Sequence, residues 1–468
     1  MCGIVGVSNQ QEASKLAFLG LYALQHRGEE AAGIAAYDGQ DIYIKKDPGL
    51  VADTFDEAIL DGLKGGTAIG HCRYSTTGSS NFKNTQPFLV RHKGKPIAVA
   101  HNGNLTNTEV LYKKLEEKGS IFQTTMDSEI IIHLLARAKN GHIKESFVNV
   151  LSQLKGAYSL IFLVEDMIVG ARDPQGFRPL CLGKLEGKYI LASESCAFDL
   201  MKAKFIREVE PGEIVFIKGE KIESAYLPKN NKTGTSQCIF ENIYFARPDS
   251  DIFGDNVYHV RKRLGAQLAK ESPVKDIDFV MSIPDSGNYA ALGFAQELGL
   301  PLEIGIIRNH YIGRTFIQPS QFLRDFRVRV KLNPIGSVLK GKKIVIVEDS
   351  IVRGTTSRSR VEELRKSGVK EIHMRISCPP IKSPCFYGID FPNKNELIGA
   401  SKSVKEIADF IKVDSLEYLS LEGMLSVMKN PKNFCHACFT GKYPVEIPKN
   451  KSKYLLEQRS PKYTSKGK

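Results

Sequence analysis

Over roughly the first 230 residues, apolar positions come in short runs broken every few residues by glycine or charge. The runs are "CGIVGV", "GIAAY", "DIYIKK", "TAIGHCRY", "PIAVAHNG", "SLIFLVED" and "MIVGAR". Runs of this length between turn residues predict strands. Two longer stretches change period and predict helices: "SKLAFLGLYALQHRG", ending at Gly28, and "DSEIIIHLLARAKNG", with Asp127 as N-cap and Gly141 as stop. Strands in series with few helices predict packed sheets flanked by helices, an α+β domain. The pattern changes after a polar stretch, "KNNKTGTS" (229–236). Beyond it "IDFVMSIP", "DSGNYAALGFAQELG" and "PLEIGIIRN" read as strand, helix and strand, and so do "KKIVIVE", "TTSRSRVEELRKSG" and "EIHMRIS". Such units predict an α/β domain with a mainly parallel sheet and right-handed crossovers. There is no internal repeat.

A chain of 468 residues with 42% apolar content predicts two or three domains with real cores. No apolar run approaches the roughly 18 residues of a membrane span, and the N-terminus lacks the basic-then-apolar order of a signal peptide. Nine cysteines spread unevenly do not resemble a disulfide scaffold, which fits a reducing, cytoplasmic setting. The net charge of +13 invites a nucleic-acid partner. However, residues 449–468 hold seven Lys or Arg against one Glu, a basic tail expected to be disordered. The remaining charge suits anionic phosphate substrates equally well.

Two places carry chemistry. Cys2 stands directly behind the initiator methionine. It fits the start of a buried strand. It also fits a nucleophile: trimming of Met1 leaves thiol and α-amine on one residue, and an amine titrating near ~7.7–8.0 can serve its own side chain as general base. The second place is "KKIVIVEDSIVRGTTSRSR" (342–360), where a buried strand ends in two acids and a loop of small and hydroxyl residues opens a helix. Amides and hydroxyls at that helix start suit a phosphate, and the acids suit ribose hydroxyls or a hard divalent cation. An ordinary strand–turn–helix is the plainer reading, yet ligands of open α/β sheets bind at this end of the strands. The Walker spacing is absent.

This second stretch resembles the phosphoribosyl-pyrophosphate (PRPP) loop of type I phosphoribosyltransferases, with Glu348 where Asp is common in that family. "SIPDSG" (282–287) stands where such enzymes keep a pyrophosphate loop. "RNHYIGRTFIQPSQ" (308–321) offers Arg308, Tyr311 and Arg314 to close over a polyphosphate. The resemblance implies PRPP binding by Glu348, Asp349, Ser350, Arg353, Gly354, Thr355, Thr356, Ser357, Tyr311 and Arg314. It also implies Mg²⁺ at Ser286, Glu348 and Asp349.

The first half resembles the class II glutamine amidotransferases, N-terminal nucleophile hydrolases of αββα build. The resemblance is carried by "MCGIVGV", "LQHRGEEAAGI", "HCRYSTTGSSNFKNTQPF", "AHNGNLTN" and "TMDSEII". The family pattern implies Cys2 as nucleophile, with Asn102 and Gly103 as oxyanion donors. It places Arg73 on the glutamine carboxylate, Asp127 on its ammonium, and Arg27 and Gly28 in the glutamine loop, where Glu29 replaces a usual Gln. Together the two resemblances cover roughly residues 2–445. They imply transfer of ammonia from glutamine to PRPP, giving 5-phosphoribosylamine, glutamate and pyrophosphate, the first committed step of purine synthesis. They also imply an ammonia path formed when 308–330 closes, inhibition by purine nucleotides, a homotetramer, and no nucleic-acid or membrane partner.

"NFCHACFTGKYP" contributes the pair Cys435 and Cys438, which alone fits redox, zinc or iron–sulfur roles. With Cys238 in "QCIFENIYFARPDS" and Cys385 in "SPCFYGID", the resemblance implies a 4Fe–4S cluster, structural zinc being the alternative. His436 is read as a bystander, and Cys72, Cys181, Cys196 and Cys378 as core. The expected organisation is an amidotransferase domain (2–232), a phosphoribosyltransferase domain (238–420), a C-terminal segment carrying the cysteine pair (421–448) and the tail (449–468). The rival readings are a PRPP-sensing DNA-binding regulator, which has no use for Cys2, Arg73, Asn102 and Asp127 together, and a class II amidotransferase with another acceptor.

Overall fold

The structure, a computed structural model, describes residues 1–74, 82–138, 141–228, 234–309, 332–391 and 393–447. The expected tail (449–468), residues 229–233 of the 229–236 stretch, and Tyr311 and Arg314 therefore lie outside the described residues.

The glycine-punctuated runs form two stacked antiparallel sheets. One has seven strands, ordered Lys204–Glu208, Cys181–Leu185, Lys188–Ala192, Gly3–Val7, Thr67–Arg73, Ala31–Tyr37 and Ile42–Pro48. The other has six, ordered Lys221–Tyr226, Glu213–Lys218, Met167–Arg172, Gly156–Val164, Lys95–Leu105 and Phe88–His92. Ile4, Ala35 and Ile69 of the first meet Ala98, Ile161 and Val215 of the second in a layer between the sheets. Helix Ala13–Ala23 packs Ala17 and Leu21 on the outer face of the seven-stranded sheet. Helices Thr108–Glu116, Asp127–Ala136 and Ile143–Leu151 cover the six-stranded sheet. This is the expected αββα sandwich. Gly3–Val7 is central, paired on both sides, so Cys2 is held at the end of an interior strand.

The second half contains a four-stranded parallel sheet of Phe279–Ser282, Lys343–Glu348, Glu371–Ile376 and Ser415–Tyr418. Helices Val257–Glu271, Asn288–Leu298, Thr355–Lys366 and Val404–Ile411 accompany it. No helix among the described residues is long and apolar enough to cross a membrane.

Three local features depart from the sequence pattern. The first helix stops at Ala23 and a 3₁₀ turn, Gln25–Arg27, follows; the Gln25 side chain holds that turn by donating to the Gly28 carbonyl and accepting from the Val51 amide. Met126, not Asp127, is the N-cap of Asp127–Ala136, and that helix ends before Gly141. The stretch after Pro301 pairs with the parallel sheet through an isolated bridge, Leu302 opposite Val280; Ile306–Arg308 pairs instead with Leu332–Pro334, antiparallel.

Helices Val257–Glu271 and Asn288–Leu298 cross through glycines. A Cβ on Gly265 would stand 1.8 Å from the Ala290 carbonyl oxygen, and one on Gly293 would stand 1.9 Å from that of Lys262. Backbone cannot yield as a flexible side chain does, so an added methyl separates the helices. Gly293→Ala should destabilise by about 1–3 kcal/mol, the usual cost of overpacking, read as a lowered melting temperature. An unchanged melt would show that the crossing relaxes freely.

Candidate active sites

Cys2 is buried, with its Sγ 3.5 Å from the Tyr74 carbonyl oxygen. Its backbone N–H donates to Asn102 Oδ1 at 3.1 Å. Asn102 is fully buried on strand Lys95–Leu105, and its Nδ2 has no partner among the described residues. One end of this amide is therefore fixed by the Cys2 backbone, while the other is a buried donor without an acceptor among the described residues. Leaving such a group unpaired costs about 1–3 kcal/mol, which a bound oxygen would recover. Gly103 follows at φ +155, where a Cβ would stand 2.1 Å from the Ala157 carbonyl oxygen. Glycine alone tolerates both the torsion and the approach.

Arg73 and Asp127 are both buried beside this centre's strands. Asp127 accepts from the Leu105 amide at 3.0 Å and faces His101 Nδ1 at 3.2 Å. Burial raises its pKa, but the histidine and the amide outweigh that and hold it below the usual carboxylate value. His71 Nδ1, His101 Nε2, Thr106 Oγ1 and Ser128 Oγ are also buried and without partners among the described residues. Burial pushes His71 down to about 3, so it is neutral.

Arg27, expected in the glutamine loop, points inward. Its fully buried guanidinium donates from Nε to the Cys2 carbonyl at 3.0 Å, and from Nη1 and Nη2 to Glu241 at 3.1 and 2.9 Å. Nη1 also pairs with Glu194. Arg178 Nη1 meets Glu241 at 3.3 Å. Glu194 accepts further from His26 Nε2 (2.8 Å), the Arg247 amide (2.9 Å) and the Ser250 hydroxyl (2.6 Å). Burial opposes ionisation of Glu194, but His26 and Arg27 prevail and hold its pKa well below the usual value. Gly28 is extended against the Arg73 backbone, its N–H donating to the Gln25 carbonyl.

The phosphate end gathers at the C-terminal edge of the parallel sheet. Lys343–Glu348 delivers Glu348 and then Asp349, which accepts from the Ser286 hydroxyl at 2.5 Å and from Ser350. Burial raises both carboxyls, and for Glu348 the neighbouring Asp349 adds to it. Gly354, at φ +75, is the N-cap of Thr355–Lys366, with Thr355 and Thr356 exposed and Ser357 buried at the helix start. The Arg353 side chain lies on Glu396 at 2.9 Å, and Arg308 pairs with Asp285.

One short π-helical turn, Glu241–Phe245, lies between the two ends. Phe245 packs edge-on against Tyr74, whose carbonyl meets Cys2, with ring centroids 6.3 Å apart. Tyr244 stands in the field of Asp349 and Glu348, which adds to the effect of burial in raising its pKa. Behind the turn are the four cysteines. Cys238 is opposite Cys435 in a parallel pairing, and the Cys438 carbonyl accepts from the Lys382 and Ser383 amides, close to Cys385 in the chain. Burial pushes the Cys238 thiol up to about 11, with the Arg178 guanidinium opposing it. No group of three or more His, Cys, Asp or Glu among the described residues is gathered as a single bound ion requires.

A family profile described as a glutamine amidotransferase domain matches residues 71–199. The amidophosphoribosyltransferase of Methanocaldococcus jannaschii is 50% identical over 464 residues, covering 96% of this chain and 98% of that protein. The chain belongs to the amidophosphoribosyltransferase family. The chloroplastic member from Glycine max is 50% identical over 95% of this chain and 78% of its own. Two solved structures agree over 96% of this chain and 98% of theirs. One, of the allosteric regulatory enzyme of purine biosynthesis, has a TM-score of 0.91 and 47% identity. The other, glutamine PRPP amidotransferase from B. subtilis complexed with ADP and GMP, has 0.89 and 46%.

Sequence reasoning for this amidophosphoribosyltransferase found the contiguous motifs and missed Glu194, Glu241, Arg178, His101 and Tyr74. Glu194 has a native pKa below its unfolded value of ~4.3. Its charge therefore adds stability above that value, and the contribution is lost as pH falls through the acid range below it. The melting-temperature gap between the parent and Glu194→Gln should be full near neutrality and narrow below about pH 4.3. A gap that stayed constant into strong acid would contradict this.

Proposed function

We propose that Cys2 and the Glu348–Ser357 loop are the two reaction centres of this amidophosphoribosyltransferase. The observation that carries the reading is the Asn102 amide, held at Oδ1 by the Cys2 N–H and left with an unpartnered buried donor at Nδ2. With Met1 trimmed, the Cys2 amine takes the thiol proton, and the sulfur attacks the side-chain carbonyl carbon of glutamine. Asn102 Nδ2 and the Gly103 N–H receive the oxyanion. The amine returns the proton to the departing ammonia, and water releases glutamate. Arg73 and Asp127, both buried at this end, suit the substrate's carboxylate and ammonium.

Ammonia then attacks C1 of PRPP, pyrophosphate leaves, and 5-phosphoribosylamine forms. Ser350, Gly354, Thr355, Thr356 and Ser357 offer backbone and hydroxyl donors to the 5-phosphate at the start of Thr355–Lys366. Glu348 and Asp349, desolvated and raised in pKa, call for a compensating cation. With Ser286 they suit Mg²⁺, which when bound neutralises charge on the leaving pyrophosphate. The four cysteines, Cys238 and Cys438 buried and Cys385 and Cys435 partly so, come from three segments with Arg178 close by and suit a 4Fe–4S cluster, which takes one thiolate per iron. The ADP and GMP complex of the B. subtilis relative supports regulation by purine nucleotides, and we extend the family's homotetramer to this chain. Nine cysteines, none of them in a disulfide, suit a reducing, cytoplasmic compartment.

The test is glutamate release by anaerobically purified protein, with and without PRPP and Mg²⁺. Release should rise with PRPP, vanish in Cys2→Ala, and fall about 10²–10³-fold in Asn102→Ala, while ammonia-driven synthesis persists in both. Release unaffected by Cys2→Ala would sink the assignment.

Purified without oxygen, the protein should carry iron and acid-labile sulfide in equal amounts. Cys438→Ser should lose both and melt at lower temperature. Zinc without sulfide would replace the cluster with a mononuclear site.

A further inference from the structure

We propose that Glu241 is a positioning residue for the glutamine half-reaction, supplied to the first half of the chain by the second. The proposal rests on the reading of Cys2 as nucleophile.

Both oxygens of Glu241 are taken by Arg27, at 2.9 and 3.1 Å, and Arg27 Nε holds the Cys2 carbonyl at 3.0 Å. The Cys2 peptide is thus fixed on one side by Asn102, through its N–H, and on the other by Arg27, through its C=O. Those two bonds set where the amine and thiol stand. A misplacement of about 1 Å at such a centre costs on the order of 10²-fold in rate.

Glu241 is well placed to impose that geometry because its own turn is clamped. Arg261, buried on helix Val257–Glu271, donates from Nε to the Asn242 carbonyl and from Nη2 to the Ala246 carbonyl, each at 2.8 Å. The clamp comes from the phosphoribosyltransferase half, so the Cys2 carbonyl is referenced to that half through only two side chains. The same turn touches the thiol's surroundings a second time, through Phe245 on Tyr74. A buried ion pair is a weak source of stability, since apolar residues of similar volume often serve as well. Its survival here is better explained by the orientation it imposes.

The experiment uses the full chain purified without oxygen, with Glu241→Gln, Arg27→Gln and the double variant beside the parent and Cys2→Ala. Three rates are compared: glutamine-driven synthesis, ammonia-driven synthesis, and alkylation of Cys2 by iodoacetamide, located by peptide mass. Glu241→Gln should lower the glutamine-driven kcat at least tenfold and slow Cys2 alkylation. The glutamine KM should stay within about threefold and the ammonia-driven rate within twofold. The double variant should be no worse than the poorer single variant, as expected for two members of one chain of contacts. Glu241→Asp, which keeps the charge, should restore part of the lost kcat.

Glutamine turnover at the parent rate in Glu241→Gln, with Cys2→Ala inactive, overturns this proposal alone. Equal loss of both synthetic rates, or failure of both Gln and Asp variants to fold, marks Glu241 as structural and also overturns it. Glutamine turnover surviving in Cys2→Ala removes the reading beneath it.

Discussion

Two guanidiniums and two carboxylates, Arg27, Arg178, Glu194 and Glu241, share an interior from which solvent is excluded. Each charge alone would carry a desolvation penalty of several kcal/mol, so each depends on its partners staying in place. Three of the four come from the sandwich and one from beyond the chain's midpoint. The two halves therefore cannot slide past one another without exposing an unpaired charge. That constraint fixes the end of the Gly3–Val7 strand, and with it the place where Cys2 and Asn102 meet.

Within this frame each side chain has a narrow task. The sheets place Cys2 and Asn102 from facing layers, and Gly103 makes room where backbone crowds backbone. The parallel sheet places Glu348 and Asp349 at its edge, where desolvation leaves them short of positive charge. The turn Glu241–Phe245 packs Phe245 against Tyr74 and sets Tyr244 in the field of Asp349 and Glu348, so five residues neighbour both segments.

What could be read from the sequence divides along locality. The sandwich, the parallel sheet and the 348–357 loop were legible because strand runs, helix starts and anion loops are written in neighbouring residues. Asp127 looked like a cap, but its carboxylate is claimed by His101 and Leu105, so Met126 takes the cap position. The strand expected after Pro301 leaves the sheet because its hydrogen-bonding partner lies at 332–334. Arg27 and Glu194 are 167 positions apart, and Arg27 and Glu241 are 214 apart. In sequence each is an ordinary charge. A faint signal existed in "CIFENIYF", where an acid and an amide interrupt a run otherwise suited to burial; a charge in such company is rarely buried without a partner.

The 214-residue separation of Arg27 from Glu241 also imposes an order of events during synthesis. At about 5–20 residues per second, roughly 10 to 40 s pass between the addition of the arginine and that of its carboxylate partner. For that interval the growing chain holds Arg27 without its Glu241 partner, Glu194 being the carboxylate that arrives first. Unfinished chains thus hold Arg27 against the Cys2 carbonyl before the carboxylate from the second half is there to pair with it.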